Sequence, residues 1–124
     1  MDIEAFRDYC LSKDGVDESF PFDNKTLVFK VMGKIFVLTD VDTFQTVNVK
    51  CEPELAISLR EQYPAVLPGY HMNKQHWNTI VMDGSIGDDT IKEWIDHSYK
   101  MVVQGLPPKM RSLLALMQEK QSDF

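Results

Sequence analysis

The residues with the most chemistry to offer lie in one stretch, PGYHMNKQHWNTI, at positions 68–80. It holds Tyr70, His71, Asn73, Lys74, His76, Trp77 and Asn78. Metal binding is the first chemistry to weigh. His71 and His76 stand five residues apart, an odd separation that sends them to opposite faces of a strand, or about 140° apart on a helix. Neither matches the i, i+4 pair that chelates from one helical face. No Cys, Asp or Glu falls between 65 and 82 to complete a closed site, so neither a metal nor a cofactor is expected here. Catalysis fares no better. The chain has no GxSxG elbow, P-loop, dinucleotide fingerprint or HExxH, so no catalytic residue is assigned and the expectation is a protein that is not an enzyme. Binding is better served: Tyr70 and Trp77 supply flat apolar faces, Lys74 a phosphate contact, and His71, His76, Asn73 and Asn78 hydrogen-bonding edges. Lys30, Lys34 and Lys50 on preceding strands extend the patch. The competing reading is structural, with Asn and His tying the loop backbone and Trp77 packed in the core.

Charge limits what such a patch can grip. The 124 residues carry a net −6, unevenly spread. Residues 1–24 hold seven acids against Arg7 and Lys13, whereas 25–50 hold four lysines against Asp40 and Asp42. A phosphate-binding surface therefore has to be a local basic face, since the whole molecule lacks a positive field. The third idea, a weak hard-cation site at Asp2, Glu4 and Asp8, has to compete with the plainer reading of a solvated acidic helix face. Length and composition predict a single domain over 1–124 with a full core. Cys10 and Cys51 sit in unrelated contexts and read as reduced, partly buried thiols. The acidic amphipathic start lacks the features of a secretory signal, and no apolar run reaches the roughly 20 residues that span a bilayer. A cytoplasmic location with no membrane partner is the expectation.

The elements that position these residues follow from periodicity. Ile3, Phe6 and Cys10 form one helical stripe, ending near Gly15. Residues 17–26 lack a period and read as a connector whose Phe20 and Phe22 dock on the core. LVFKVM and KIFVLT flank a turn placed at Gly33-Lys34, with type II′ geometry. A strand at 44–50 alternates Val47 and Val49 against Thr46, Asn48 and Lys50. A helix opens at Pro53 with Leu55, Ala56, Leu59 and Tyr63 on its apolar side, and a strand covers 76–82. Asp88 or Asp89 caps a helix running to about 104, and Pro107-Pro108 starts a last helix carrying Met110, Leu113, Leu114 and Met117. Strands grouped in this way predict an α+β fold: a single antiparallel β-sheet with helices packed on one face.

YHMNKQHWNT at 70–79, FPF at 20–22, LVFKVMGKIF at 27–36 and SYKMVVQGLP at 98–107 together resemble the pattern and order of the MmcQ/YjbR family of small bacterial proteins. The resemblance spans nearly the whole chain and implies a CyaY-like fold. It also implies DNA binding through a "double wing" arrangement of hairpins, and it brings no catalytic residues. Gln75 stands where the family pattern is often basic. The sequence thus points to a DNA-binding protein using Lys30, Lys34 and residues 70–78. The alternative is a protein–protein interaction module in which the motif is mainly structural.

Overall fold

The computed structural model describes residues 1–69 and 72–122, with side chains as far as Lys120. The chain runs α1 (Ile3–Leu11), β1 (Val16–Ser19), β2 (Thr26–Val31), β3 (Lys34–Asp40), β4 (Thr46–Lys50), α2 (Pro53–Gln62), β5 (Val66–Pro68), β6 (Trp77–Val81), α3 (Asp88–Gln104) and α4 (Pro108–Ser122). All strands join one antiparallel sheet in the order β1-β2-β3-β4-β6-β5. The expected α+β architecture is therefore present. Two strands are additional to those read from periodicity. β1 occupies part of the supposed connector and β5 lies just before the motif, each too short for alternation to register.

Opposed residues in register share a face. Phe29, Val37 and Val49 form one such row, and Val47, Ile80 and Val66 another. Both rows belong to the core, with Phe6 and Cys10 of α1, Ala56 and Leu59 of α2, and Ile91, Ile95 and Val102 of α3. Each large apolar side chain buried there contributes about 1.5–3 kcal/mol. Phe6 meets Phe29 edge-on at 5.6 Å between ring centroids, adding a directional term to the area term.

The β2–β3 turn differs from expectation. Val31 pairs with Lys34, so Met32 and Gly33 are the central residues, and both have positive φ (49° and 86°). That is the type I′ arrangement, in which glycine takes the second central position, rather than a II′ turn at Gly33-Lys34. Beyond it the register slips: Phe29 faces Val37 but Lys30 faces Ile35, leaving Phe36 as the extra residue of a bulge. Ser98 of α3 holds this bulge. Its Oγ donates to the Phe36 carbonyl at 2.5 Å and accepts from the Lys50 amide at 2.8 Å.

Asp2 caps α1 by accepting from the Ala5 amide, and Glu52 caps α2 through Glu54 and Leu55. The N-cap of α3 is Gly87, with Asp88 and Asp89 inside its first turn, where they suit the helix dipole. Leu55 is exposed, while Ala56 and Leu59 carry the packing of α2. Phe20 and Phe22 do not dock on the core; they stand 47% and 68% exposed. α4 is likewise less embedded than its pattern implies. Leu114 is buried, whereas Met110, Leu113, Leu116 and Met117 are exposed.

Candidate functional site

The motif at 68–80 divides between structural and surface roles. Tyr70 and His71 lie outside the described residues. Asn73 is exposed and builds a turn: its Oδ1 accepts from the Gln75 amide at 2.9 Å and its carbonyl from the His76 amide at 3.2 Å. Lys74 is exposed, and its carbonyl accepts from Arg60 Nη1 at 3.1 Å, tying the loop to α2. The His76 carbonyl accepts from the Cys51 amide at 2.7 Å. Asn78 corrects the sequence reading, because it is 1% exposed and points into the core, where its Nδ2 donates to the Ala56 carbonyl at 3.3 Å. Strand alternation forces this: with Trp77 outward, its neighbour must point inward. Asn78 is therefore removed from the candidate surface.

Gly69 is needed by the same geometry. Its amide donates to the Trp77 carbonyl at 2.8 Å, and a Cβ built on it would stand 2.8 Å from both that oxygen and the Trp77 Cβ. Only a glycine lets β5 and β6 close at this point.

The face of the sheet away from α1–α3 collects what remains. One row across it reads Val28, Leu38, Asn48, Thr79 and Leu67. Lys30 and Lys50, two positions along from Val28 and Asn48, lie on that face too, and Lys50 opposes Trp77. Of the expected residues, Lys30, Lys74 and Trp77 are thus brought to one side, with Lys34 exposed beside the β2–β3 turn. The face is more apolar than Thr46, Asn48 and Lys50 of β4 led one to expect. Two open concavities indent it, of about 700 Å³ (Thr46, Leu67, Pro68, Gly69, Met72, Lys74, Thr79) and about 480 Å³ (including Phe22, Ile35, Leu38, Asn48). Thr46 and Met72 line both. Sequence reasoning missed Phe22, Leu38, Asn48, Met72 and Thr79 as site residues. Period-two alternation carried across the strand register is the signal that finds the three on strands.

Negative charge is concentrated in the helix layer. α1–α3 with the capping Asp2 and Glu52 hold ten carboxylates against Arg7, Arg60, Lys92 and Lys100, a net −6 equal to that of the whole chain. The sheet itself is balanced, with Lys30, Lys34 and Lys50 against Asp17, Glu18 and Asp40; Asp17 stands opposite Lys30 in register, and Asp40 lines the smaller concavity. Among the described residues no ion pair involves Lys30, Lys34, Lys50 or Lys74.

A second grouping has the residue types of a thiol enzyme. Cys51, His97 and Asn78 line one cavity of about 10 Å³ between sheet and helices, far below the several hundred Å³ of a substrate pocket. Burial pushes the Cys51 thiol up to about 11, opposite to what an activated nucleophile requires. His97 Nε2 already accepts the Glu52 amide at 3.2 Å. The arrangement braces the start of α2. Among the described residues no three His, Cys, Asp or Glu come together as metal ligands, and no helix is long and apolar enough to cross a membrane.

The turn at 73–76, the Ser98 anchor and the β2–β3 hairpin fall within or beside residues 11–101, which match the family model YjbR. The chain belongs to the YjbR family. It is 38% identical over 115 residues to YjbR of Escherichia coli strain K12, covering 92% of this chain and 98% of that one. YyaQ of Bacillus subtilis strain 168 is 32% identical over 75 residues, covering 60% of this chain and 63% of that protein. The crystal structure of Deinococcus radiodurans protein DR2400, family-model domain DUF419, superposes with a TM-score of 0.84 at 34% identity, covering 91% of this chain and 87% of that one. A crystal structure from Pseudomonas syringae gives 0.70 at 28% identity, covering 82% and 98% respectively. The family thus shares this sheet and its helix layer, and the site has to be argued from the chain's own geometry.

Proposed function

We propose that this YjbR-family chain is a cytoplasmic, non-enzymatic nucleic-acid-binding protein of DNA-binding type, acting through the helix-free face of its sheet. One observation carries the reading: α1–α3 hold the net negative charge, while on the opposite face Lys30, Lys50 and Lys74, in no ion pair among the described residues, stand near Trp77 and an apolar trough, with Asp17 and Asp40 as the carboxylates of that face. Lysines that make no close ion pair remain available to phosphates even on an acidic protein, because salt screens charges farther than roughly 10 Å, while Asp17 and Asp40 on the same face keep the local field weak. The β2–β3 hairpin, with Lys30 and Lys34, borders this face and serves as one wing of a double-wing arrangement.

Three to four phosphate contacts predict modest affinity and a log–log salt slope of about −2 to −4. Fluorescence anisotropy with labelled DNA at low salt tests this. The triple variant Lys30→Gln, Lys50→Gln, Lys74→Gln should weaken binding at least about tenfold and flatten the slope. The pair Lys109→Gln, Lys120→Gln on α4 should leave both unchanged. No anisotropy change with any oligonucleotide at low salt would sink the reading.

A second reading, a protein partner, rests on α4. Its exposed Met110, Leu113, Leu116 and Met117 form a stripe beside Lys109, Arg111 and Lys120. Co-purification of a protein from cell extract that is lost with Leu113→Ser and kept with Lys74→Gln would favour it over the first.

A further inference from the structure

We propose that the ligand of the helix-free face is single-stranded rather than duplex nucleic acid, with bases seated in the trough. This rests on the nucleic-acid reading above and deepens it. Duplex readers push a helix or ribbon outward into a groove about 12 Å wide. Here the face is indented, by two open concavities of about 700 and 480 Å³ that have Thr46 and Met72 in common in their walls.

The apolar part of these walls suits base faces, and Asp40 in the wall of the smaller concavity disfavours a phosphate there. Leu38 and Ile35 contribute apolar surface, and Phe22 stands at one end with 68% of its surface exposed. An exposed aromatic beside an apolar trough is the platform on which an unpaired base stacks, in a manner tolerant of sequence. Met72 contributes to both volumes and offers a soft, adaptable contact between them. Asn48 adds direction: its Oδ1 accepts from the Thr79 hydroxyl at 2.6 Å, so its amide N–H₂ is the group presented to a ligand acceptor. Such a donor suits an acceptor atom on the edge of a base. Lys74, at the rim of the larger volume, and Lys30 and Lys50 on the same face supply the backbone contacts that a bound strand needs.

The test is anisotropy with three labelled probes of equal length: oligothymidylate, a duplex, and an abasic deoxyribose-phosphate strand. Oligothymidylate should bind about tenfold or more tightly than either of the others. Phe22→Ala should lower its affinity by about 5- to 100-fold, the value of one stacked base. Phe20→Ala, outside the trough, should leave it unchanged. A duplex binding as tightly as oligothymidylate overturns the proposal while leaving the nucleic-acid reading in place. An abasic strand binding as tightly does the same, since phosphates alone would then account for the affinity. Oligoglutamate competing as effectively as oligothymidylate makes the trough a site for acidic peptides and overturns it. Binding of none of the nucleic-acid probes at low salt overturns the parent reading and this one together.

Discussion

Ser98→Ala probes the contact that shapes the sheet face. Ser98 is fully buried at the middle of α3, and its single hydroxyl serves two backbone groups: the Phe36 carbonyl at the β3 bulge and the Lys50 amide at the end of β4. Alanine removes one oxygen, leaves little cavity, and strands a buried acceptor and a buried donor. Each unpaired group costs about 1–3 kcal/mol, and the end of β4 can relax toward water, so the combined loss should be about 2–4 kcal/mol. For a chain of this size that corresponds to a melting temperature lower by about 8–16 °C. Urea unfolding followed by circular dichroism should show a lower midpoint with an unchanged slope, because the surface exposed on unfolding is the same. Ser112→Ala is the control. That hydroxyl donates to the Pro108 carbonyl at 3.0 Å on exposed α4, and its loss should stay within about 0.5 kcal/mol. A Ser98→Ala loss as small as the control's would refute the bulge anchor and the registration of the face built on it.

Two further perturbations address the motif and the helix layer. Gly69→Ala should destabilise by about 1–3 kcal/mol, because the new Cβ meets the Trp77 backbone, which cannot swing aside as a side-chain tip can; wild-type urea stability in this variant would contradict the close approach of β5 and β6. Burial holds the His97 imidazole below its ordinary value, with Glu52 opposing the shift and Lys100 adding to it. The folded state therefore favours neutral His97, and the unfolded chain takes up its proton first as pH falls. This contribution is full above about pH 6.5 and declines below it until the folded imidazole is itself protonated. His97→Gln should flatten the pH dependence of urea stability just below pH 6.5, and an unchanged slope would remove His97 as its source.

Long periodic elements were legible in the sequence. The stripe of Phe6 and Cys10 and the alternation of Val47 and Val49 each state a local preference that the tertiary structure keeps. What was not legible depends on partners distant in the chain. β1 and β5 span four and three residues, and become strands through the ladders they join rather than through any pattern of their own. The turn at Met32-Gly33 looked like one at Gly33-Lys34 because glycine suits either primed turn, and the pairing of Val31 with Lys34 decides between them. Asn78 looked like a contact residue because its polarity suggests exposure; register turns it inward. Phe22 looked like a core residue for the converse reason. The face that gathers Lys30, Lys50 and Trp77 comes from three strands and emerges only once their order is known.

The most direct measurement of the central claim is amide chemical-shift mapping of the isotopically labelled protein titrated with oligothymidylate at low salt. The account predicts progressive shifts at Lys30, Leu38, Asn48, Thr79 and Lys74, with α1–α3 unmoved. Shifts confined to α4 around Met110 and Met117, or none anywhere in the chain, would contradict it.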